Sequence, residues 1–167
     1  MADTPEAIIY GESLRAIAQQ EASLDDLRSR TGTILAAASL ITAFLGAQAL
    51  GHDQTLRIIG GRTFLEPHFG ALAWLAVGAF VSLAALCLLI LWPWTWDFVM
   101  SATVLIEDYL NDGKGITAEE LQIAIAKISE ENWDANSKKL DRLFWCFRLA
   151  TLCLALEVLT WLIALGR

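Results

Sequence analysis

Glu157 is the residue in this chain whose position most calls for a chemical account. It stands in LCLALEVLTWLIALGR, Leu152 to Arg167, where it is the only charged residue before Arg167. An acid placed inside a bilayer costs several kcal/mol unless it is satisfied. Arg148 is nine residues away, about 13 Å along a helix, too far for a direct pair within one chain. Glu157 must therefore be protonated, hydrogen-bonded to Thr42, Gln48 or a neighbouring subunit, or open to water in a central cavity. We read Glu157, Gln48 and Thr42 as a candidate polar path, with a structural hydrogen bond as the alternative.

Other residues of the right type make weaker constellations. His52 and His68, with Asp53 and Glu66 nearby, could meet a metal, but two histidines on a loop are more simply solvated polar residues. The run DYLNDGKGITAEEL has the outline of a calcium loop. Counted from Asp108, Gly113 and Glu119 fall on the glycine and carboxylate positions, but Leu110 occupies one that needs an oxygen ligand. An ordinary helix-turn-helix is the better reading. Cys87, Cys146 and Cys153 lie in or beside apolar runs without metal-ligand spacing, and we read them as small hydrophobes. There is no nucleophile elbow, zincin motif or glycine-rich phosphate loop, so we expect no enzyme and no cofactor. The net charge of −7 argues against nucleic acid, which needs a basic face.

The elements that must position Glu157 follow from composition. Hydrophobic residues are 56% of the chain and charged residues 19%, against about 45–50% and about 25% in soluble domains. No residue from Thr31 to Gly51 is charged, and none from Pro67 to Trp96 apart from a protonated His68. Each run exceeds the roughly 20 residues a helix needs to cross the hydrocarbon. A third run, Leu143 to Leu165, contains only Arg148 and Glu157 as charges. It is a third span, or else the buried helix of a soluble domain. The first thirty residues carry six acids and three arginines without an apolar core, which is not the pattern of a cleavable signal peptide.

We therefore expect an all-α integral membrane protein, three transmembrane helices with a cytoplasmic helical bundle. The segments are a cytoplasmic amphipathic helix over 1–30, spans over 31–51, 69–96 and 143–165, an outside loop over 52–68, and cytoplasmic helices over 97–142. Orientation follows from the Lys/Arg bias of cytoplasmic flanks. Arg28 and Arg30 precede the first span, and Lys138, Lys139, Arg142 and Arg148 crowd the start of the third, against Arg57 and Arg62 between the first two. The N-terminus is expected inside and the C-terminus outside. Trp92, Trp94 and Trp96 cluster at the end of the second span, where Pro93 could kink the helix. Trp145 and Trp161 bracket the third about 24 Å apart. We read all five as interface anchors, with a core role as the alternative.

In the cytoplasm, Thr4-Pro5-Glu6 is a helix start. Tyr10, Leu14, Ile17, Leu24 and Leu27 then form one apolar stripe, with Glu12, Gln19, Gln20 and Asp26 around it. Only Gly32 interrupts the path into the first span, so the two can be one long helix. Phe98, Leu105 and Tyr109 make a second stripe, which ends at the turn signal Asn111-Asp112-Gly113-Lys114-Gly115. Thr117 and Glu120 match a capping box, and Leu121, Ile125 and Ile128 continue the next helix. Such stripes need a partner, which in a short chain can be another subunit.

The first span carries two ladders of small residues, Ala38, Thr42 and Gly46, and Ser39, Ala43 and Ala47. Small faces let helices approach closely in lipid. Ala38, Thr42, Gly46, Ser39 and Ala43 are candidate oligomer contacts, with packing inside one chain as the alternative.

The run LDDLRSRTGTILAAASLITAFLG, together with ENWDANSKKLDRLFWCFRLATLCLALEVLTW, resembles small bacterial membrane proteins of the Pycsar effector transmembrane family and related SLATT-type modules. The shared pattern is a basic polar helix leading into a first span and a long helix with Asn and Lys leading into the last. The resemblance implies a homo-oligomeric, channel-like or membrane-disrupting effector of the bacterial inner membrane, in antiphage defence triggered by a cyclic nucleotide. No cyclic-nucleotide-binding domain is recognisable, so the cytoplasmic helices would sense the ligand alone or through a cytoplasmic protein partner. A membrane scaffold whose cytoplasmic helices dock a partner is the alternative.

The topology is checked by labelling with a membrane-impermeant thiol reagent in a variant without native cysteines. A cysteine at Gly166 is expected to react in intact cells and one at Asp3 is not; the opposite pattern reverses the orientation.

Overall fold

A computed structural model describes residues 4–52, 54–59, 62–67, 70–96 and 117–166, with side chains described for 4–48, 70–96 and 117–166. Three helices and a two-stranded hairpin make up the described residues: α1 (Pro5–His52), β1 (Gln54–Ile59), β2 (Arg62–Pro67), α2 (Ala71–Leu91) and α3 (Ala118–Leu165). All three helices are long and apolar enough to cross a membrane.

Helix boundaries follow local chemistry. Thr4 Oγ1 accepts a bond from the Ala7 amide at 3.4 Å, and Pro5 takes the first helical position, where its missing N–H costs nothing. From there α1 is continuous for 48 residues, about 72 Å at the usual rise. α3 begins at the expected capping box. The Glu120 amide donates to Thr117 Oγ1 at 3.3 Å, and the Thr117 amide donates to the Glu120 carboxylate at 3.0 Å. It too runs unbroken for 48 residues.

Two expectations change. The second span does not reach Trp96: α2 stops at Leu91, and Trp92 is extended, with φ −57° and ψ 137°. Pro93 clashes with a helical residue before it, so it ends the helix rather than kinking it. The segment read as an outside loop contains an antiparallel hairpin, with Ile59 opposite Arg62 and Gln54 opposite Pro67. β-branched Thr55, Ile58, Ile59 and Thr63 suit strands. Gly60-Gly61, between them in sequence, is a two-residue hairpin signal. The stripe Phe98, Leu105 and Tyr109, the turn after it and the calcium-loop candidate lie outside the described residues.

The chain divides into two compact units, one of Met1–Asp26 with Pro93–Arg142, the other of Leu27–Trp92 with Leu143–Arg167. The second is built of the apolar stretches. Ala38 of α1, Leu83 and Cys87 of α2 and Ala150 of α3 are all buried together. Further along, Ile41 and Leu45 meet Ala73, Ala76 and Val77 around Trp161. As α1 and α3 advance, their partners on α2 step back, so α1 and α3 run parallel with α2 antiparallel to both. Outside this core, Leu40, Phe44, Trp74, Val81, Leu88, Leu152 and Leu159 are all more than half exposed. A surface of that kind suits lipid rather than water.

In the first unit, Ile17 and Leu24 of α1 and Ala126 and Leu140 of α3 are buried, together with the polar Gln20, Ser129 and Asn136. Gln20 Nε2 donates to the carbonyl of Trp133 at 3.0 Å. Leu14, expected in the stripe, is exposed. Burial on α1 instead recurs every seven residues at Ile17, Leu24, Thr31 and Ala38, the period of a coiled-coil seam. Where α2 gives way, Lys139 Nζ donates to the carbonyl of Thr95 at 3.0 Å and lies 5.8 Å from the Trp96 ring centroid.

Gly46 gives a test of the spans' packing. A Cβ there would meet the Trp161 ring at 3.5 Å, ordinary contact, so Gly46→Ala is expected to be neutral or slightly stabilising in a helix. Gly46→Leu forces further carbons into the ring and is expected to cost about 1–3 kcal/mol. Thermal unfolding in detergent separates the two; a Leu variant that melts with the wild type removes the contact from the account.

Candidate functional site

The site is assembled from α1 and α3 within the second unit. Ala38, Thr42 and Gly46 keep α1 short-sided where it meets α3, which lets Thr42 and Glu157 meet although they stand 115 positions apart. Thr42 Oγ1 donates to Glu157 Oε1 at 2.5 Å. Glu157 is 0% exposed, so it is enclosed by its own chain rather than turned to lipid. Its other oxygen, Oε2, has no hydrogen-bond partner among the described residues.

Trp161 lies one turn further along α3 on the same face and is buried, its indole Nε1 also without a partner among the described residues. Read from sequence as an interface anchor, it is in the core: Gly46, Ala73 and Ala76 lack the side chains that would exclude an indole. Thr160 Oγ1 is used locally, donating to the Leu156 carbonyl at 2.6 Å. No Lys or Arg is drawn to the carboxylate among the described residues. Arg148 is exposed, with its guanidinium carbon 5.2 Å from the ring centroid of Trp145. Among the described residues the site consists of one carboxyl, able to accept and donate hydrogen bonds, and the Thr42 hydroxyl bound to it.

Of the expected polar path, the structure joins Glu157 to Thr42 and leaves Gln48 exposed. The two small-residue ladders separate. Ala38 packs against α2 and α3, Thr42 holds Glu157 and Gly46 faces Trp161, so this ladder is used inside the chain. Ser39 and Ala43 face outward. Trp92, Trp94 and Trp145 are exposed and Trp96 is half-buried. The described residues contain no group of three or more His, Cys, Asp or Glu able to hold a metal. The side chains of His52, Asp53, Glu66 and His68 lie outside the described residues.

Sequence reading missed Gln20, Ser129 and Asn136 as interior groups. The signal was there: Ser129, Asn136, Leu143, Ala150 and Glu157 are spaced seven apart and all buried. Set against protein-family models, curated proteins and solved structures, the chain matches none.

A double-mutant cycle measures the central bond. Thr42→Val and Glu157→Leu are each expected to destabilise, and their coupling to fall at about 0.6–1.7 kcal/mol, the range for hydrogen bonds between membrane helices. Unfolding in mixed micelles reads it; additive effects would show that the two side chains do not share a bond in the folded protein.

Proposed function

We propose that the chain is a homo-oligomeric effector of the bacterial inner membrane, N-terminus in the cytoplasm, whose spans form a channel-like or membrane-disrupting assembly. The observation that carries this reading is the enclosed Glu157. Anchoring alone needs only apolar spans, and a carboxyl at the centre of helix packing is an expensive addition that marks a working site. The continuity of α1 and α3 supports it further, because each helix carries a charged stretch and a span without a break. An event on the charged stretches is thereby delivered to the helices that hold Glu157. Subunits are proposed to meet through the outward ladder of Ser39 and Ala43, since the inward one is occupied. Defence against phage, with a cyclic nucleotide as trigger, rests on the resemblance of the helix pattern alone.

The scaffold reading has one observation in its favour, the exposure of Ile8, Ile9, Leu14 and Ile123 on the charged stretches of α1 and α3.

Mass measurement in detergent comes first: an oligomer of at least three subunits is expected, and a monomer ends the pore reading. Reconstituted in vesicles, the protein is expected to pass cations. Glu157→Gln should alter that flux while leaving the oligomer intact. If Gln behaves as wild type and only Glu157→Leu disrupts assembly, Glu157 is a structural hydrogen-bonding group.

A further inference from the structure

The first unit contains a cavity of about 390 Å³ between the beginning of α1 and the stretch of α3 from Ala126 to Trp133. That volume lies in the range of small-molecule sites, roughly 300–1,000 Å³. Ile8, Ile9, Ala16 and Ala126 supply apolar walls, and Trp133, 40% exposed, leaves part of its ring open.

Its charge is one-sided. Among the described residues Glu12 and Glu130 line the cavity and no Lys or Arg does. Glu12 contacts Arg15 at 2.7 Å, but both side chains are more than 60% exposed, so the pair is screened and weak. Glu130 has no ion pair among the described residues. Of the hydroxyls, that of Ser13 is already donated to the Tyr10 carbonyl at 2.9 Å. A phosphate would face two carboxylates. A neutral apolar ligand would dehydrate those carboxylates without return. A cation with an apolar body is attracted by both acids and by the π face of Trp133. Gln20 fixes the backbone of Trp133 before any ligand arrives, which lowers the ordering cost of binding.

We propose that this cavity binds a small organic cation with an apolar body, an alkyl- or arylammonium, against the ring of Trp133 and beside Glu12 and Glu130. Binding at this recess is a property of the first unit and does not depend on what the spans conduct.

The test uses the full chain in detergent and benzyltrimethylammonium as probe, with benzyl alcohol as the neutral control and cyclic AMP as the anionic one, read by equilibrium dialysis. Saturable binding of the ammonium alone is expected, weakening as salt rises. Glu130→Gln, at an exposed position where folding is undisturbed, and Trp133→Leu are each expected to lower affinity about tenfold. Undiminished affinity in Glu130→Gln, equal competition by benzyl alcohol, or no saturable binding at millimolar ammonium would each overturn the assignment, the last even if Trp133→Leu fails to fold.

Discussion

Helices already in lipid gain little by hydrophobicity from packing on one another, so spans are held by close approach and by hydrogen bonds between them. In this chain both converge on one turn or two of α1. Ala38 brings α1 against Leu83, Cys87 and Ala150, Gly46 admits the indole of Trp161, and between them Thr42 reaches Glu157. The hydrogen bond depends on the small residues for its reach, and the small residues give α1 and α3 no fixed alignment without the bond. A seven-residue slip of α3 along α1 would bring Ala150 or Ala164 opposite Thr42 and leave Glu157 among apolar side chains. Polar residues on a seam commonly set register in this way, at some expense in stability. Gln20 and Asn136 sit on the same seams in the first unit.

The fold was largely legible because a bilayer permits so few solutions. Uncharged runs of sufficient length must be helices there, and Thr4-Pro5 and Thr117-Glu120 announce helix starts through local hydrogen bonding that sequence alone specifies. Pro93 was recognised but its effect was underestimated, since ending a helix and kinking one differ by whether later turns have neighbours to hold them. The hairpin is not foreseen in a stretch read for its charges and histidines, although Gly60-Gly61 after Ile58-Ile59 is a strong local sign.

At the site, Glu157 stands out by its chemistry in an apolar run, and Thr42 was among its named partners. Gln48 was not separable from Thr42 by depth, because depth along a helix says nothing of direction around it. The same limit explains Trp161, whose position near the end of a span suits either an interface or a core. What decides is the room left by residues on other helices, Gly46, Ala73 and Ala76. Gln20, Ser129 and Asn136 escaped notice because polar residues are assigned outward by default. Only a count in sevens along the buried face distinguishes them from their solvated neighbours.

The parallel pairing of α1 with α3 also has a consequence for how the protein is made. α1 and α2 are separated by little more than a hairpin, so two antiparallel spans can associate soon after they leave the ribosome. Glu157 emerges 115 residues after Thr42 and enters lipid last, as a span with an unmet acid. Its hydroxyl partner is by then already in the membrane, on a helix with a face of small residues. Insertion of α3 and assembly with α1 are therefore coupled steps: the third span becomes comfortable in the bilayer only as it docks. A chain lacking α1, or one whose first span is misplaced, would present the insertion machinery with a last helix that lipid alone accepts poorly.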